Sequence, residues 1–279
     1  MKNIPSQAYI NTIDHVKSGE SFDIQITEIP GILQTVPIPD NLEYYYDSSN
    51  YISHSTKPNN FTEHVYFKLR RINLYFKYRL ISKQAQSKAR ILDYGCGTGE
   101  LVKYLNTRGF NAEGYEPNKK AKQALKENNI ASINSLQNID YQYDIITFFH
   151  VLEHLHNPIE TLQYLLKYLK PKGSLILALP NYGSWDAKHY KKLWAAYDVP
   201  RHLWHFNIHG VHNLAETIEC NITTQRGQPL DAYYISLLSE RYKKSKLAYI
   251  KAFLFGTISN SMALINKQYS SNIYVMRRK

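Results

Sequence analysis

The chain has 279 residues, 43% apolar content and 24 tyrosines, which excludes a disordered chain and leaves room for one large α/β domain or a domain with a small appendage. Lys and Arg outnumber Asp and Glu by 34 to 23, a net charge of +11 spread along the chain rather than gathered in a tail. That balance fits an anionic partner or simply a basic solvated surface. Two cysteines, Cys96 and Cys220, exclude a disulfide framework and a Cys-rich zinc site. The N-terminus carries no apolar leader. Lys251, Thr257, Ser259, Asn260 and Ser261 interrupt the stretch from Leu247 to Ile265, which reads as too polar for a membrane span. A cytoplasmic location is expected.

In chain order, residues 1–60 read as short strands and turns leading into a tyrosine-rich stretch, Tyr44 to His54. Residues 61–88 supply a lid helix, with Val65, Leu69, Ile72, Phe76 and Leu80 on one face. From Ala89 strands and helices alternate. Ala89–Asp93 is a short apolar strand, and Gly99–Arg108 a helix stopped near Gly109. Asn111–Tyr115 is a second strand, after which Asn118 caps a helix. A weak third strand lies near Ala131–Ile133, and Tyr143–Phe149 is a buried fourth. Asn157, Pro158 and Glu160 mark the start of a helix by a capping box, and Lys170–Gly173 stops it. Ser174–Leu179 is a buried strand, and Asn272–Met276 is a last strand at the sheet edge. Alternation of this kind implies a mostly parallel sheet with helices on both faces.

The turn Asp93-Tyr94-Gly95-Cys96-Gly97-Thr98-Gly99 joins the first of these strands to a helix, which makes a nucleotide crevice at the carboxyl end of the sheet. Glu116 follows the second strand, placed to accept from two ribose hydroxyls. A dinucleotide turn reads G-x-G-x-x-G and cradles pyrophosphate. Here a carboxylate precedes the glycines, and it would repel pyrophosphate and attract a sulfonium or ammonium. The pattern therefore favours S-adenosylmethionine over NAD.

ILDYGCGTG, GYEPN, YDIITFFHVLEHLHNP and LKPKGSLILALPN together resemble the class I S-adenosylmethionine-dependent methyltransferases. The nearest resemblance is to the group holding the ubiquinone-biosynthesis O-methyltransferases and bacterial sugar, lipid and natural-product methyltransferases. It covers roughly residues 40–279. It implies a Rossmann-like seven-stranded sheet with the last strand antiparallel, and an S-adenosylmethionine-binding domain over 89–279 with an insertion at 181–208 and a helical region at 232–265. It also implies Asp93, Tyr94, Gly95 and Gly97 near the methionine end of the cofactor, Glu116 and Pro117 on the ribose side, and Asn134 or Ser135 near the adenine. His150, delivered by the fourth strand, joins the cofactor side.

The segments His150–His154 and Trp194–Phe206 carry the candidate chemistry. In the ubiquinone-type enzymes the first reads Glu-x-x-Glu-His and is associated with a divalent metal. His150 replaces the first Glu here, so no metal is expected, and Glu153 and His154 then serve to pin the loop. The second segment resembles the W-x-x-x-D-x-P-R-H stretch on the acceptor side of the same group. Methyl transfer to a hydroxyl needs a base active near neutral pH, which histidine provides. His202 and His154 are the candidates, with Arg201 holding an anionic acceptor. Tyr51, His54, Trp194 and His205 are expected to line the acceptor. The competing structural reading makes the tryptophans core and pairs Arg201 with Asp198. Several relatives carry a Cys-rich zinc ribbon before the lid; residues 22–40 hold no cysteine, leaving at most a metal-free remnant.

The expected activity is O-methylation of a small molecule such as a sugar, lipid-linked intermediate or natural product, by a monomer or homodimer. RNA methylation is an alternative suggested by charge alone. FFHVLEH lacks the Asn/Asp-Pro-Pro-aromatic turn of amino-methylating nucleic-acid enzymes, no RNA-binding module is visible, and no DNA partner is expected. A cofactor-binding interaction protein without catalysis is a further alternative. Lys243, Lys244, Lys246 and Lys251 beside Leu247, Ile250, Phe253 and Leu254 allow contact with a membrane surface, although a helix covering the active site is the reading preferred.

Overall fold

Strand β4 (Arg90–Tyr94) reads as an unbroken apolar run because strands and helices cover it on every side: Ile91 and Leu92 are both fully buried. In the computed structural model, which describes residues 7–46 and 72–279, β4 lies inside a seven-stranded sheet. The order is β10 (Cys220–Gly227), β11 (Ser271–Arg278), β8 (Leu169–Pro180), β7 (Tyr143–Phe149), β4, β5 (Asn111–Tyr115) and β6 (Ser132–Ile133). β11 runs antiparallel to both its neighbours, and β8, β7, β4, β5 and β6 pair in parallel. This is the Rossmann-like sheet expected, with one correction. The last strand does not close the edge but sits between β8 and β10, and β10 is the edge. CNITTQRG escapes a pattern reading because it buries little more than Cys220.

The pleat divides the core between two faces. Ile91, Ile145, Ile176 and Val275 face α2 (72–81) and α3 (Glu100–Asn106), where Ile81, Val102 and Leu105 pack. Leu92, Ile146, Leu175, Leu177 and Tyr274 face α5 (Pro158–Leu166) and α7 (Ile208–Thr217). α4 (Lys119–Glu127) is capped by the Asn118 side chain, which accepts from the Ala121 N–H at 3.1 Å.

A second, antiparallel sheet joins β1 (Ala8–Ile13), β2 (Ser21–Ile26), β3 (Ile32–Val36) and β9 (Trp204–Phe206). β9 belongs to the 181–208 insertion, so the N-terminal strands and the insertion form one structure. Between them a third cluster gathers Phe22, Ile24, Leu33, Trp194 and Tyr197 with Tyr45 of α1 (Leu42–Tyr46) and Tyr190 of α6 (Trp185–Tyr190). The helical region near 232–265 is two helices, α8 (Pro229–Tyr242) and α9 (Ala248–Asn266).

Four local expectations change. In α2, Ile72 and Phe76 are exposed, while Leu80 and Ile81 are buried; Val65 and Leu69 lie outside the described residues. Asn157 makes no side-chain cap on α5, so the capping box does not form. Lys170–Gly173 lies within β8, because Leu169 is buried and pairs with Tyr143 while Lys170 binds Asp144 at 2.8 Å. α9 is long and apolar enough to cross a membrane by length and composition, contrary to the sequence reading. Its polar residues are small and neutral, and Lys251 is its one charged residue.

The seam between the sheets depends on Gly210 in α7. A Cβ there would meet the Gly31 carbonyl oxygen at 2.0 Å, and that backbone is held by the Asn207 N–H donating to the same oxygen at 3.1 Å. Gly210→Ala gains up to ~1 kcal/mol of helix propensity but forces overlap costing about 1–3 kcal/mol. Net destabilisation is expected, read as a lower urea midpoint.

Candidate active site

The parallel strands end together at the glycine turn. Gly95, Gly97 and Gly99 all have positive φ, at 70°, 55° and 76°, but for different reasons. A Cβ on Gly95 would strike Val151 at 2.5 Å, and one on Gly99 would strike Leu125 and Ile130 at 2.6 Å. Those two glycines are demanded by packing. A Cβ added at Gly97 would meet nothing within 4 Å among the described residues, so this is the open place where a ligand can approach the backbone. The Gly95 and Cys96 N–H groups donate to the Tyr115 carbonyl at 2.7 and 3.2 Å, tying the turn to β5. Cys96 lies over Gly114, where a Cβ would meet its Sγ at 2.3 Å.

Two carboxylates flank the open turn. Asp93 is buried, and its Oδ1 accepts from the Thr147 hydroxyl at 2.6 Å. Burial pushes its carboxyl up to about 6, against the opposing pull of Thr147 and Lys77. Glu116 accepts from the Gly97 N–H at 2.9 Å through Oε2 and from the Asn118 N–H at 2.8 Å through Oε1. Each oxygen keeps a lone pair, so a vicinal diol can still bind. Anionic charge on both sides of an accessible backbone fits a cationic, ribose-bearing cofactor and does not fit pyrophosphate. Tyr94 stacks on Phe148, ring centroids 4.6 Å apart, so only its main chain can serve a ligand. Pro117 and Asn134 are exposed at the rim, and the Ser135 hydroxyl accepts from the Gln137 N–H at 3.2 Å just past β6.

β7 delivers a cluster of histidines. His150 has φ 58° and anchors its N–H on the Ala178 carbonyl at 3.0 Å. Its Nε2 lies 3.2 Å from the Gln228 amide and 3.5 Å from Asp231, so it meets the first turn of α8. Burial pulls its pKa down, but Glu153 and Asp231 outweigh that and raise it. Glu153 is fully buried. Burial pushes its carboxyl up, but His150, His202 and His154 bring it down to about 2. His154 donates from Nδ1 to the Arg201 carbonyl at 2.9 Å, with the Tyr46 hydroxyl 3.0 Å from the same nitrogen. Burial and the neighbouring His202 lower His154 to about 4. His202 meets His154 edge to face at 4.6 Å and donates from Nδ1 to the Ala196 carbonyl at 2.9 Å. Its Nε2 therefore keeps a lone pair. The Leu203 N–H donates to the Glu153 carbonyl at 2.8 Å, strapping the insertion to the loop after β7. Among the described residues, Glu153, His154 and His202 offer ligand atoms within 4.8 Å of one another and could hold a divalent ion.

Three expected site residues are structural instead. Arg201 is 1% exposed and its donors are taken: Nε by Asp198 at 3.0 Å, Nη1 by the Tyr45 carbonyl at 3.1 Å, Nη2 by Asp14 at 2.9 Å and Asp198 at 2.7 Å. Four of its five N–H donors are thus engaged, and the side chain is closed off from solvent, which removes it from the acceptor role. Trp194 is buried and donates from Nε1 to Asp186 at 2.7 Å. His205 is buried with Nε2 2.9 Å from the Thr35 hydroxyl. Tyr51 and His54 lie outside the described residues. The sequence reading missed Tyr46, Thr147, Gln228 and Asp231; only Tyr46 had a signal, the tyrosine-rich segment it belongs to.

An open glycine turn between two carboxylates, at the carboxyl end of this seven-stranded sheet, defines an S-adenosylmethionine-dependent methyltransferase of class I. Residues 66–225 match the family described as "Methyltransferase domain", and the chain belongs to that family. The ubiquinone biosynthesis O-methyltransferase of Rickettsia bellii is 35% identical over 105 residues, covering 34% of this chain and 43% of that protein. The protein of the same name in Rickettsia conorii is 33% identical over 104 residues, covering 34% and 36%. The chain thus spans less than half the length of these relatives. Magnesium protoporphyrin IX methyltransferase from Synechocystis PCC 6803, with bound SAH, shares the fold with TM-score 0.52 at 14% identity, covering 81% of this chain and 91% of that one. Coclaurine N-methyltransferase bound to N-methylheliamine and SAH gives TM-score 0.51 at 13% identity, covering 74% and 70%.

Two expectations follow. Arg201→Ala strands the buried Asp14 and should cost about 3–5 kcal/mol in chemical denaturation. Asp93 has a raised folded pKa, so its contribution favours the fold below about pH 4 and fades as pH rises through about 6. A cationic ligand reverses that preference by favouring the ionised carboxylate. Cofactor affinity by calorimetry should therefore weaken up to about tenfold per pH unit below 6, and Asp93→Asn should bind weakly and without this dependence.

Proposed function

We propose that this methyltransferase acts on a hydroxyl oxygen of a small-molecule acceptor, with His202 as general base. S-adenosylmethionine supplies an electrophilic methyl group on a sulfonium. Asp93 and Glu116 hold its cationic and ribose parts, and the backbone at Gly97 admits it. His202 takes the hydroxyl proton on Nε2 as the oxygen bonds to the methyl carbon and the carbon–sulfur bond breaks, its electron pair leaving on the sulfur of the neutral thioether product. The observation that carries this reading is the Nδ1 bond to the Ala196 carbonyl at 2.9 Å, which fixes the tautomer with its free lone pair on Nε2. Glu153, ionised and buried beside the ring, stabilises the imidazolium that forms. The names of the Rickettsia relatives, ubiquinone biosynthesis O-methyltransferases, support oxygen as the acceptor atom. A sugar, a lipid-linked intermediate or a natural product presents such a hydroxyl. With Arg201 committed to Asp14 and Asp198, an anionic group on the acceptor finds no partner there.

His202→Ala should lower kcat by about 10²–10⁴ while leaving cofactor affinity unchanged. Unimpaired turnover removes His202 from the chemistry. A second reading has an observation of its own: among the described residues neither carboxylate oxygen of buried Glu153 has a hydrogen-bond partner, Oε1 lying 3.6 Å from His150 Nδ1, in a cluster that could hold a divalent cation. In that case the ion would draw the acceptor hydroxyl in and acidify it. Full activity in EDTA removes the metal reading; loss restored by a divalent cation establishes it.

A further inference from the structure

Helix α9 presents a largely exposed apolar face, touched among the described residues at its margin, where Tyr233 stacks on Phe253 at 5.9 Å and Arg241 lies over Tyr249. Ile250, Phe253 and Ile265 are 66%, 69% and 82% exposed, and Tyr249, Leu254 and Leu264 lie on the same side. The opposite side is a row of small residues, Ala248, Ala252, Gly256, Ser259 and Ala263, all buried, with Gly256 close against α8 at Tyr233. An ordinary surface helix keeps its polar residues outside and its large apolar residues inside. α9 reverses the second half of that rule.

The charges around this face have one sign. From residue 240 to 267 there are six cations, Arg241, Lys243, Lys244, Lys246, Lys251 and Lys267, and one carboxylate, the buried Glu240. Lys243 and Lys251 both lie beside Glu240, at 3.6 and 3.9 Å. Lys244, Lys246 and Lys267 are exposed at the two ends of the helix.

We propose that the α9 face is a docking surface for an anionic lipid bilayer, with the helix lying in the plane of the headgroups. The apolar row enters the acyl boundary and the flanking lysines meet lipid phosphates. A spanning orientation conflicts with the packing. Ser259 donates to Asp186 at 2.8 Å and the Asn260 amide donates to the Pro229 carbonyl at 2.9 Å, so α9 is fastened along its length to α6 and α8. A second copy is a poorer occupant, because pairing two such faces would bring lysine-rich ends together. The surface and the site share one end of the sheet. α8 follows the carboxyl end of β10, and Gln228 and Asp231 at its start touch His150. Docking here sets the acceptor side next to the membrane surface.

Docking does not depend on which atom is methylated, so it is measured without acceptor or cofactor. The full chain is sedimented with vesicles of phosphatidylcholine, alone or with phosphatidylglycerol as one third of the lipid. At least about tenfold tighter binding to the anionic vesicles is expected, weakening as salt rises. The combined variant Ile250→Gln, Leu254→Gln, Ile265→Gln should lose about tenfold with an unchanged thermal melt, since these side chains are solvent-exposed. Phe253→Trp should show a blue-shifted emission only with anionic vesicles. Equal or absent binding to the two vesicle types overturns the proposal, as does full binding by the triple variant. A dimer in sedimentation velocity that the triple variant abolishes, without vesicle binding, gives the face to a second copy instead.

Discussion

The site depends on one buried guanidinium. Arg201 joins Asp14, just after β1, to Asp198 in the insertion and to the main chain of α1 at Tyr45. A buried charge is tolerated only when it is paired and hydrogen-bonded, so these three segments must meet in one arrangement for Arg201 to be accommodated. The carbonyl of the same residue then receives the Nδ1 proton of His154. Arg201 thus acts on the histidine cluster from behind: its side chain fixes the backbone, and its backbone fixes the ring. His202 is the next residue, and its Nδ1 proton is held by the loop at Ala196 that the same network stabilises.

The cofactor half and the histidine cluster are built on different principles. The cofactor half uses local chain: a strand end, a turn and a carboxylate on the neighbouring strand, all tied by backbone N–H groups to Tyr115 and Glu116. The histidine cluster is assembled from residues far apart in sequence. The Thr35 N–H donates to the Leu203 carbonyl at 2.9 Å and its hydroxyl donates to the His202 carbonyl at 2.7 Å, so the N-terminal sheet determines where the loop that carries His202 lies.

That difference explains what could be read in advance. The parallel sheet, the glycine turn, Asp93 and Glu116 follow from short-range pattern, because each acts within a few residues of its strand. Arg201 was assigned to the acceptor because the pairing with Asp14, 187 positions away, leaves no trace in spacing. Trp194 and His205 are held by Asp186, eight positions earlier, and Thr35, 170 positions earlier, and no motif marks either pairing. β10 was invisible because an edge strand with one covered face carries little apolar content. The apolar character of α9 was legible, but its exposure was not, since small residues on the packed side look like interruptions of a core helix.

The position of β11 also orders the folding of the chain. β10 pairs with β11, which in turn pairs with β8, so among the described residues, 271–278 alone bridge that part of the sheet. Until this segment emerges, β10 has no partner and Tyr274 and Met276 are missing from the core beneath α5 and α7. Closure joins segments far apart in sequence, which is a slow event in a folding chain. During that interval the growing polypeptide exposes an open strand edge, the kind of surface that invites pairing with another chain and that chaperones cover.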